Sequence, residues 1–260
     1  MASHYDVLVI GGGTGNNVAA AAADAGLETA LVEPGPLGGT CLNRGCNPSK
    51  MLIQAATAAN HVRDAESFFL DASLDDIDYE AIIDDMDETL SPLAEGMEDS
   101  YRKKEHLTLY KDEATFVDER TVDVDGERLS AEKVVVAAGS RPLVPPIDGL
   151  DSVEYMTSQE ALYRREQPES LVILGGGYIA VELGYFFESL GTDVKIVEMM
   201  DTLVPREDPD VASTFTDIAS ERHEVYTGHR ATAVESNGDS VTVHAETEAG
   251  DEAAVSGEEL

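Results

Sequence analysis

Residues 5–16 read Tyr5-Asp-Val-Leu-Val-Ile-Gly-Gly-Gly-Thr-Gly-Asn16. A short apolar run that ends in glycines is typical of a buried parallel strand entering a tight turn. The alanine-rich residues 18–25 predict a helix after that turn, and residues 29–32 predict the next strand. The stretch therefore predicts the strand–helix–strand unit with which a dinucleotide-binding fold begins.

The glycine turn follows most of the G-x-G-x-x-G pattern that binds a pyrophosphate. Gly11 permits the tight turn, and Gly13 lets the backbone approach the pyrophosphate at a helix N-terminus, whereas Asn16 replaces the third glycine. Glu33 follows the second strand, and its carboxylate can accept both hydroxyl protons of a ribose. We expect this site to be formed by Gly11, Gly13, Thr14, Gly15, Asn16 and Glu33.

The same pattern recurs about 160 residues later, where Leu171-Val-Ile-Leu174 runs into Gly175-Gly-Gly-Tyr-Ile-Ala180. The repeat predicts an α/β fold with two Rossmann-like dinucleotide-binding domains, residues 1–150 and 151–260. An acid at Glu198, after the next strand, favours an unphosphorylated ribose and hence NADH over NADPH. The nucleotide contacts expected in the second domain are Gly175, Gly177 and Glu198.

The two cysteines of the chain lie in the segment Gly38-Gly-Thr-Cys-Leu-Asn-Arg-Gly-Cys-Asn-Pro-Ser-Lys50. Their spacing lets Cys41 and Cys46 close a small ring on one loop and cycle between disulfide and dithiol. The loop leads into a predicted helix over residues 49–68, whose N-terminus can lower a thiol pKa to roughly 3.5–7.5. An inert structural disulfide is the alternative, and a metal site is weaker because two sulfurs do not fill a tetrahedral zinc shell.

Charge is the second unusual property of the sequence. The 260 residues include 52 Asp and Glu against 17 Lys and Arg, for a net charge of -35. Such a surface repels nucleic acid and anionic membranes, and it suits strong brine, where charges are screened within about 3 Å at 1 M salt. We expect a halophilic protein, with an acidic mesophilic enzyme as the alternative. The absence of a signal peptide and of a long apolar run predicts the cytoplasm.

The segment 38–50 closely resembles the redox loop of the class I pyridine nucleotide–disulfide oxidoreductases. That family includes dihydrolipoamide dehydrogenase and the glutathione, mycothione and mercuric reductases. The resemblance implies FAD in the first domain and NAD(P)H, leaning to NADH, in the second. It also implies that Lys50 lies beside the flavin and pairs with Glu182. Further cofactor contacts implied by the resemblance are Gly39, Thr40, Ala114, Ala138, Gly139, Ser140, Tyr178 and Ile179, with Tyr178 as a gating aromatic.

The resemblance also implies the order of electron transfer and the size of the whole protein. Electrons would pass from the nicotinamide through the flavin to Cys46, while Cys41 would be the interchange thiol that attacks a disulfide. Relatives take their proton donor from a C-terminal domain that forms a homodimer. We therefore expect an N-terminal part of a longer homodimeric reductase, with the second domain incomplete, the dimerisation domain absent and no turnover by residues 1–260 alone.

The substrate is predicted from a few positions. Ala21 stands where glutathione reductases carry a substrate-binding arginine, which argues against glutathione. Together with the halophilic composition, this makes bis-γ-glutamylcystine the first expectation and dihydrolipoamide the second. Mercuric reductase and a non-catalytic flavin-binding fragment remain alternatives. Arg44, usually valine in relatives, could stabilise the Cys41 thiolate, pair with a substrate carboxylate or form a structural ion pair; Asn47 also departs from the usual isoleucine or valine.

Overall fold

The computed structural model describes residues 3–238 and 240–260 and shows an α/β protein. It divides into two compact units. The first is the chain up to Pro48 together with Asp87–Arg141, and the second is Ser49–Met86 together with Pro142–Leu260. Residues 49–86 and 142–150 thus group with the second unit, and the domain boundary after residue 150 remains a prediction.

A six-stranded mixed sheet forms the centre of the first unit. Its strands are β1 (Ser3–Ile10), β2 (Thr29–Val32), β3 (Leu107–Tyr110), β4 (Ala114–Asp118), β5 (Thr121–Val124) and β6 (Glu127–Val136). They lie in the order β3-β2-β1-β6-β5-β4. The strands β3, β2, β1 and β6 are parallel, and β6 also forms an antiparallel meander with β5 and β4.

The last residues of β1 are covered on both faces of the sheet, which explains the unbroken apolar run at positions 7–10. Val7 and Val9 face the alanines of helix α1 (Gly15–Asp24), whereas Leu8 packs with Val122 on the other face. Because successive side chains of a strand point to opposite faces, a strand covered on both sides must be apolar at every position. The sequence pattern therefore predicted the element and its burial together.

Three helices lie between β2 and β3: α2 (Gly39–Arg44), α3 (Cys46–Arg63) and α4 (Tyr79–Arg102). The helix predicted over 49–68 starts earlier, at Cys46, and stops at Arg63, before a 3₁₀ turn at Ala65–Phe68. Pro48 is tolerated in the first turn of α3, where its missing N–H would have no partner within the helix. Among the described residues, no helix is long and apolar enough to cross a membrane.

The second unit contains a parallel sheet and an antiparallel meander, each of three strands. The parallel strands are β7 (Ser170–Leu174), β8 (Asp193–Val197) and β9 (Glu224–Tyr226), and the meander consists of β10 (Arg230–Ser236), β11 (Val241–Glu246) and β12 (Glu252–Gly257). After residue 142 this unit has the helices α5 (Ser158–Leu162), α6 (Tyr178–Leu190) and α7 (Pro209–Ser220). Strand residues of the two sheets share one core, which includes Val172, Val197, Val243 and Val255.

Candidate active site

The carboxyl ends of the parallel strands place the first candidate site. Ile10 of β1 lies level with Val32 of β2 and Val136 of β6, and Val32 lies level with Tyr110 of β3. The residues that come next are therefore brought to one edge of the sheet: Gly11, Glu33, Lys111 and Ala137. Ligands of open α/β sheets bind at this edge, so the topology places the predicted residues where a dinucleotide can reach them.

Glycine is required at this edge because three backbone segments nearly touch. Gly11 has φ +112°, and a Cβ there would lie 2.1 Å from the carbonyl oxygen of Ala137. A Cβ at Gly39 would lie 2.5 Å from the Cα of Gly13. The glycine turn, the segment before Cys41 and the segment entering Ala138 are therefore packed together.

Glu33 binds the backbone of the turn with both carboxylate oxygens. Its Oε2 accepts from the amide of Gly12 at 2.6 Å, and its Oε1 accepts from the amide of Gly35 at 2.8 Å. Each carboxylate oxygen keeps a second lone pair, so the half-buried side chain can still accept ribose hydroxyls. Glu33 is thus oriented by the loop before any ligand arrives.

Asn16 has a different environment from the rest of the turn. Its side chain is 5% exposed and donates from Nδ2 to the sulfur of Met97 at 3.3 Å, while its carbonyl accepts from the hydroxyl of Tyr101 at 3.0 Å. The residue therefore ties α1 to α4 in place of the small third glycine. Its Oδ1 has no hydrogen-bond partner among the described residues. A cofactor contact by Asn16 remains a prediction.

The residues at this edge fit the adenosine diphosphate part of FAD. The contact of Gly11 with the backbone of Ala137 keeps the turn tight, and Thr14 at the start of α1 is exposed and makes no side-chain cap of the helix. Amides at an uncapped helix N-terminus bind phosphate oxygens. Lys111 reaches the carbonyl of Gly35, and Ala114 starts β4 three residues later. The exposed segment 138–140 follows β6.

The two cysteines lie on helices, which corrects the expectation of a loop. Cys41 is in α2 and Cys46 is the first residue of α3, with Gly45 between the two helices. Both are present as thiols with exposed side chains. A Cβ at Gly45 would lie 3.0 Å from the carbonyl oxygen of Thr40, a tight contact that glycine avoids where the two helices meet. The helix break thus brings the thiols together.

The pKa of Cys41 moves in the direction opposite to the one expected. A hydrogen bond with the side chain of Cys46 raises the pKa of the Cys41 thiol, and desolvation adds to the effect. A thiol that hydrogen-bonds to the neighbouring sulfur keeps its proton longer. The Nη2 atom of Arg44 lies 3.5 Å from the position that a Cβ at Gly35 would occupy, so this side chain extends toward the loop of Glu33. Stabilisation of a Cys41 thiolate by Arg44 remains a prediction.

The second glycine turn repeats the first in detail. Leu174, Val197 and Tyr226 lie level at the carboxyl ends of β7, β8 and β9. Glu198 follows β8, is 7% exposed, and accepts from the amide of Gly176 through Oε2 and from the amide of Met200 through Oε1. The second nucleotide site therefore uses the same bond pattern as Glu33.

Replacing Glu198 by glutamine is expected to lower the free energy of unfolding by about 1–3 kcal/mol, because only one side-chain oxygen remains to accept two buried amides. Urea denaturation at constant KCl measures the change. Glu248→Gln, which removes the same charge from an exposed position, is the control. Equal stabilities of the two variants would show that the amide contacts do not stabilise the turn.

Lys50 and Glu182 form an ion pair, the pair that the family resemblance implied. Lys50 lies on α3 and Glu182 on α6, and both belong to the second unit. Tyr178 and Ile179 begin α6 with exposed fractions of 69% and 43%. Beside them is a mostly apolar cavity of about 360 Å³, lined also by Leu143, Leu183 and Phe187.

Sequence reasoning missed the middle glycine of each turn. A Cβ at Gly12 would lie 2.5 Å from Cγ of Glu33, and one at Gly176 would lie 2.4 Å from Cδ2 of Leu203. The signal was present, because both turns contain three glycines although the pattern requires only two. Lys111 and Asn47 were also absent from the predicted site. Among the described residues, no cluster of three or more His, Cys, Asp or Glu could hold a metal ion.

Comparisons with known proteins agree with this arrangement. The family described as pyridine nucleotide-disulphide oxidoreductase matches residues 5–257. Dihydrolipoyl dehydrogenase 2 of Haloarcula marismortui is 40% identical over 83% of this chain and 47% of its own length. A mercuric reductase of Staphylococcus aureus is 32% identical over 93% of the chain and 45% of its own length.

Solved structures give the same result. The HOCl-induced flavoprotein disulfide reductase RclA of Escherichia coli matches with a TM-score of 0.84 and 27% identity, over 98% of this chain and 55% of its own. The chain thus spans about half the length of these relatives. With the family match covering both glycine turns and the cysteine pair, the chain belongs to the class I pyridine nucleotide–disulfide oxidoreductases.

Proposed function

We propose that this protein is an FAD-dependent disulfide reductase that passes electrons from NAD(P)H to the Cys41/Cys46 pair and on to a small disulfide. One observation carries the proposal. Gly39, two residues before Cys41, packs against Gly13 of the first glycine turn. The dithiol and the expected binding site of the cofactor pyrophosphate are therefore parts of one compact structure in the first unit.

Each group of residues has a role in this function. FAD would supply two-electron transfer between the nicotinamide and the thiol pair. Gly11, Gly13 and Glu33 would hold its adenosine and pyrophosphate, as the cradle at the sheet edge suggests. Lys50 would place a positive charge near the flavin, with Glu182 orienting its ammonium group. Cys41 would attack the substrate disulfide, and Cys46 would resolve the mixed disulfide.

NADH is the proposed reductant. The carboxylate of Glu198 would accept the ribose hydroxyls and repel a 2′-phosphate. A 2′-phosphate would be bound by arginine, and the arginine nearest to Glu198 along the chain is Arg206, which is exposed. Reconstitution with FAD and anaerobic addition of either nucleotide tests this, with faster flavin bleaching expected for NADH.

The proposed substrate is bis-γ-glutamylcystine, and the second candidate function is that of a dihydrolipoamide dehydrogenase, for which lipoamide is the disulfide. A halophilic, cytoplasmic and, at full length, homodimeric reductase is part of the same proposal. The net charge of -35 supports the halophilic part. The relative named dihydrolipoyl dehydrogenase 2, from Haloarcula marismortui, favours the second substrate, and the similarity to mercuric reductase keeps mercuric ion as a third.

Stoichiometric thiol exchange tests the function of the cysteine pair without turnover. The prereduced chain is mixed with excess bis-γ-glutamylcystine, lipoamide or glutathione disulfide, and the released thiol is counted. The parent should release two thiols per chain as its own disulfide forms. With bis-γ-glutamylcystine or glutathione disulfide, Cys46→Ser should release one thiol and retain a mixed disulfide at Cys41, whereas with the cyclic lipoamide the new thiol stays attached to the chain. Cys41→Ser should react far less in the same time. Equal release by both variants would contradict the assigned roles.

A further inference from the structure

We propose that Asn47 is a positioning residue for Cys41, its side-chain amide holding the thiol in place by accepting a hydrogen bond from it. The inference rests on the function proposed for the cysteine pair and adds a residue to it. The sulfur of Cys41 lies 3.8 Å from Oδ1 of Asn47, a distance suited to a weak S–H···O hydrogen bond, and Oδ1 competes with the sulfur of Cys46 for the single thiol proton. Both residues are exposed, so the contact lies where a substrate disulfide would arrive.

The two partners are fixed by separate helices. Asn47 is the second residue of α3, and Cys41 lies in the short helix α2. Gly45 ends α2 with φ -155° and ψ -114°, and it lets the start of α3 approach the carbonyl of Thr40. The amide therefore reaches the thiol from a rigid element rather than from a mobile loop, and a positioning group requires such support.

The amide of Asn47 acts here as an acceptor. Its Oδ1 accepts from the S–H group, which favours the protonated form of Cys41. A carboxylate at the same place would also accept, and its charge would oppose the thiolate in addition. Cys46 is the titratable group that shifts the pKa of Cys41, and it does so in the upward direction. Asn47 adds an uncharged acceptor, which also favours the protonated form of Cys41.

Alkylation of the reduced chain tests the proposal in the absence of flavin, nucleotide and disulfide. The rate at Cys41 is measured by mass spectrometry of its peptide from pH 6 to 10, alongside the rate at Cys46. Asn47→Ala should move the profile of Cys41 to lower pH and raise its rate at neutral pH about threefold, because a weak acceptor of the thiol proton is lost. Asn47→Asp should move it to higher pH and lower that rate at least threefold, because a charged acceptor replaces a neutral one.

Gln54→Glu is the matched control, since it adds the same charge at an exposed position of α3 two turns away from Asn47. Its Cys41 profile should coincide with that of the parent. Opposite shifts in the two Asn47 variants support the proposal. The proposal would be overturned if the Cys41 pH profile of Asn47→Ala coincided with that of the parent, or if the profiles of both Asn47 variants moved in the same direction. The measurement uses no disulfide substrate, so it can support or overturn the role of Asn47 even if the chain reduces no disulfide.

Discussion

Gly11→Ala is expected to lower the free energy of unfolding by about 3–5 kcal/mol, since it combines a strained backbone with a direct steric conflict. Gly11 has φ +112°, which alanine adopts only at a cost. A Cβ there would also meet three backbone atoms of Ala137 and Ala138, the nearest at 2.1 Å. Backbone atoms of a central strand end cannot move aside as a flexible side chain can.

Urea denaturation at constant KCl measures this change, and Gly96→Ala is the control. Gly96 lies within α4, and a Cβ there would meet nothing within 4 Å. Alanine in an exposed helix interior should stabilise the protein by up to about 1 kcal/mol. The two glycine-to-alanine changes should therefore act in opposite directions. A Gly11→Ala variant as stable as the parent would show that the turn is not packed as described.

Raising KCl from 0.1 to 2 M is expected to raise the thermal midpoint by roughly 10–20 °C, because screening relieves several kcal/mol of repulsion among like charges. The cause is the net charge of -35. Many acids are exposed and only some of them are paired with the few basic residues, for example Glu98 with Arg102 and Lys111.

Scanning calorimetry at several salt concentrations checks this expectation. Sucrose at matched viscosity is the control, since it is excluded from the protein surface but screens no charge. A rise in KCl that sucrose does not reproduce supports charge screening. A flat or falling midpoint would contradict the halophilic interpretation, and with it the main argument for bis-γ-glutamylcystine.

The sequence predicted those parts of the molecule that depend on local pattern. The strand predicted over residues 29–32 has the bounds that the structure gives it, and the apolar run 171–174 lies within β7, because short apolar runs flanked by glycine or acid have few alternatives. Glu33 and Glu198 also lie where expected, at the carboxyl ends of strands. The turn pattern and the distance to the next strand are enough to place such residues.

Other features could not be predicted from pattern because they depend on contacts between distant segments. The start of α3 at Cys46 depends on Gly45 fitting against Thr40. The hydrogen bond from Asn16 to Met97 joins residues that are 81 positions apart in the sequence, so no local pattern predicts it. The pairing of Lys50 with Glu182 followed from the family resemblance alone, since nothing local marks either residue.

The bonds of Glu198 have a consequence for redesign of the nucleotide preference. A designer who wanted a phosphorylated cofactor would usually replace the acid after the second strand. Here that acid, Glu198, also accepts hydrogen bonds from the amides of Gly176 and Met200. Its replacement would therefore loosen the loop that has to position a new arginine. Met199 and Met200 are about half exposed beside it, at 51% and 48%. A first set of variants should therefore keep Glu198 and introduce arginine at position 199 or 200.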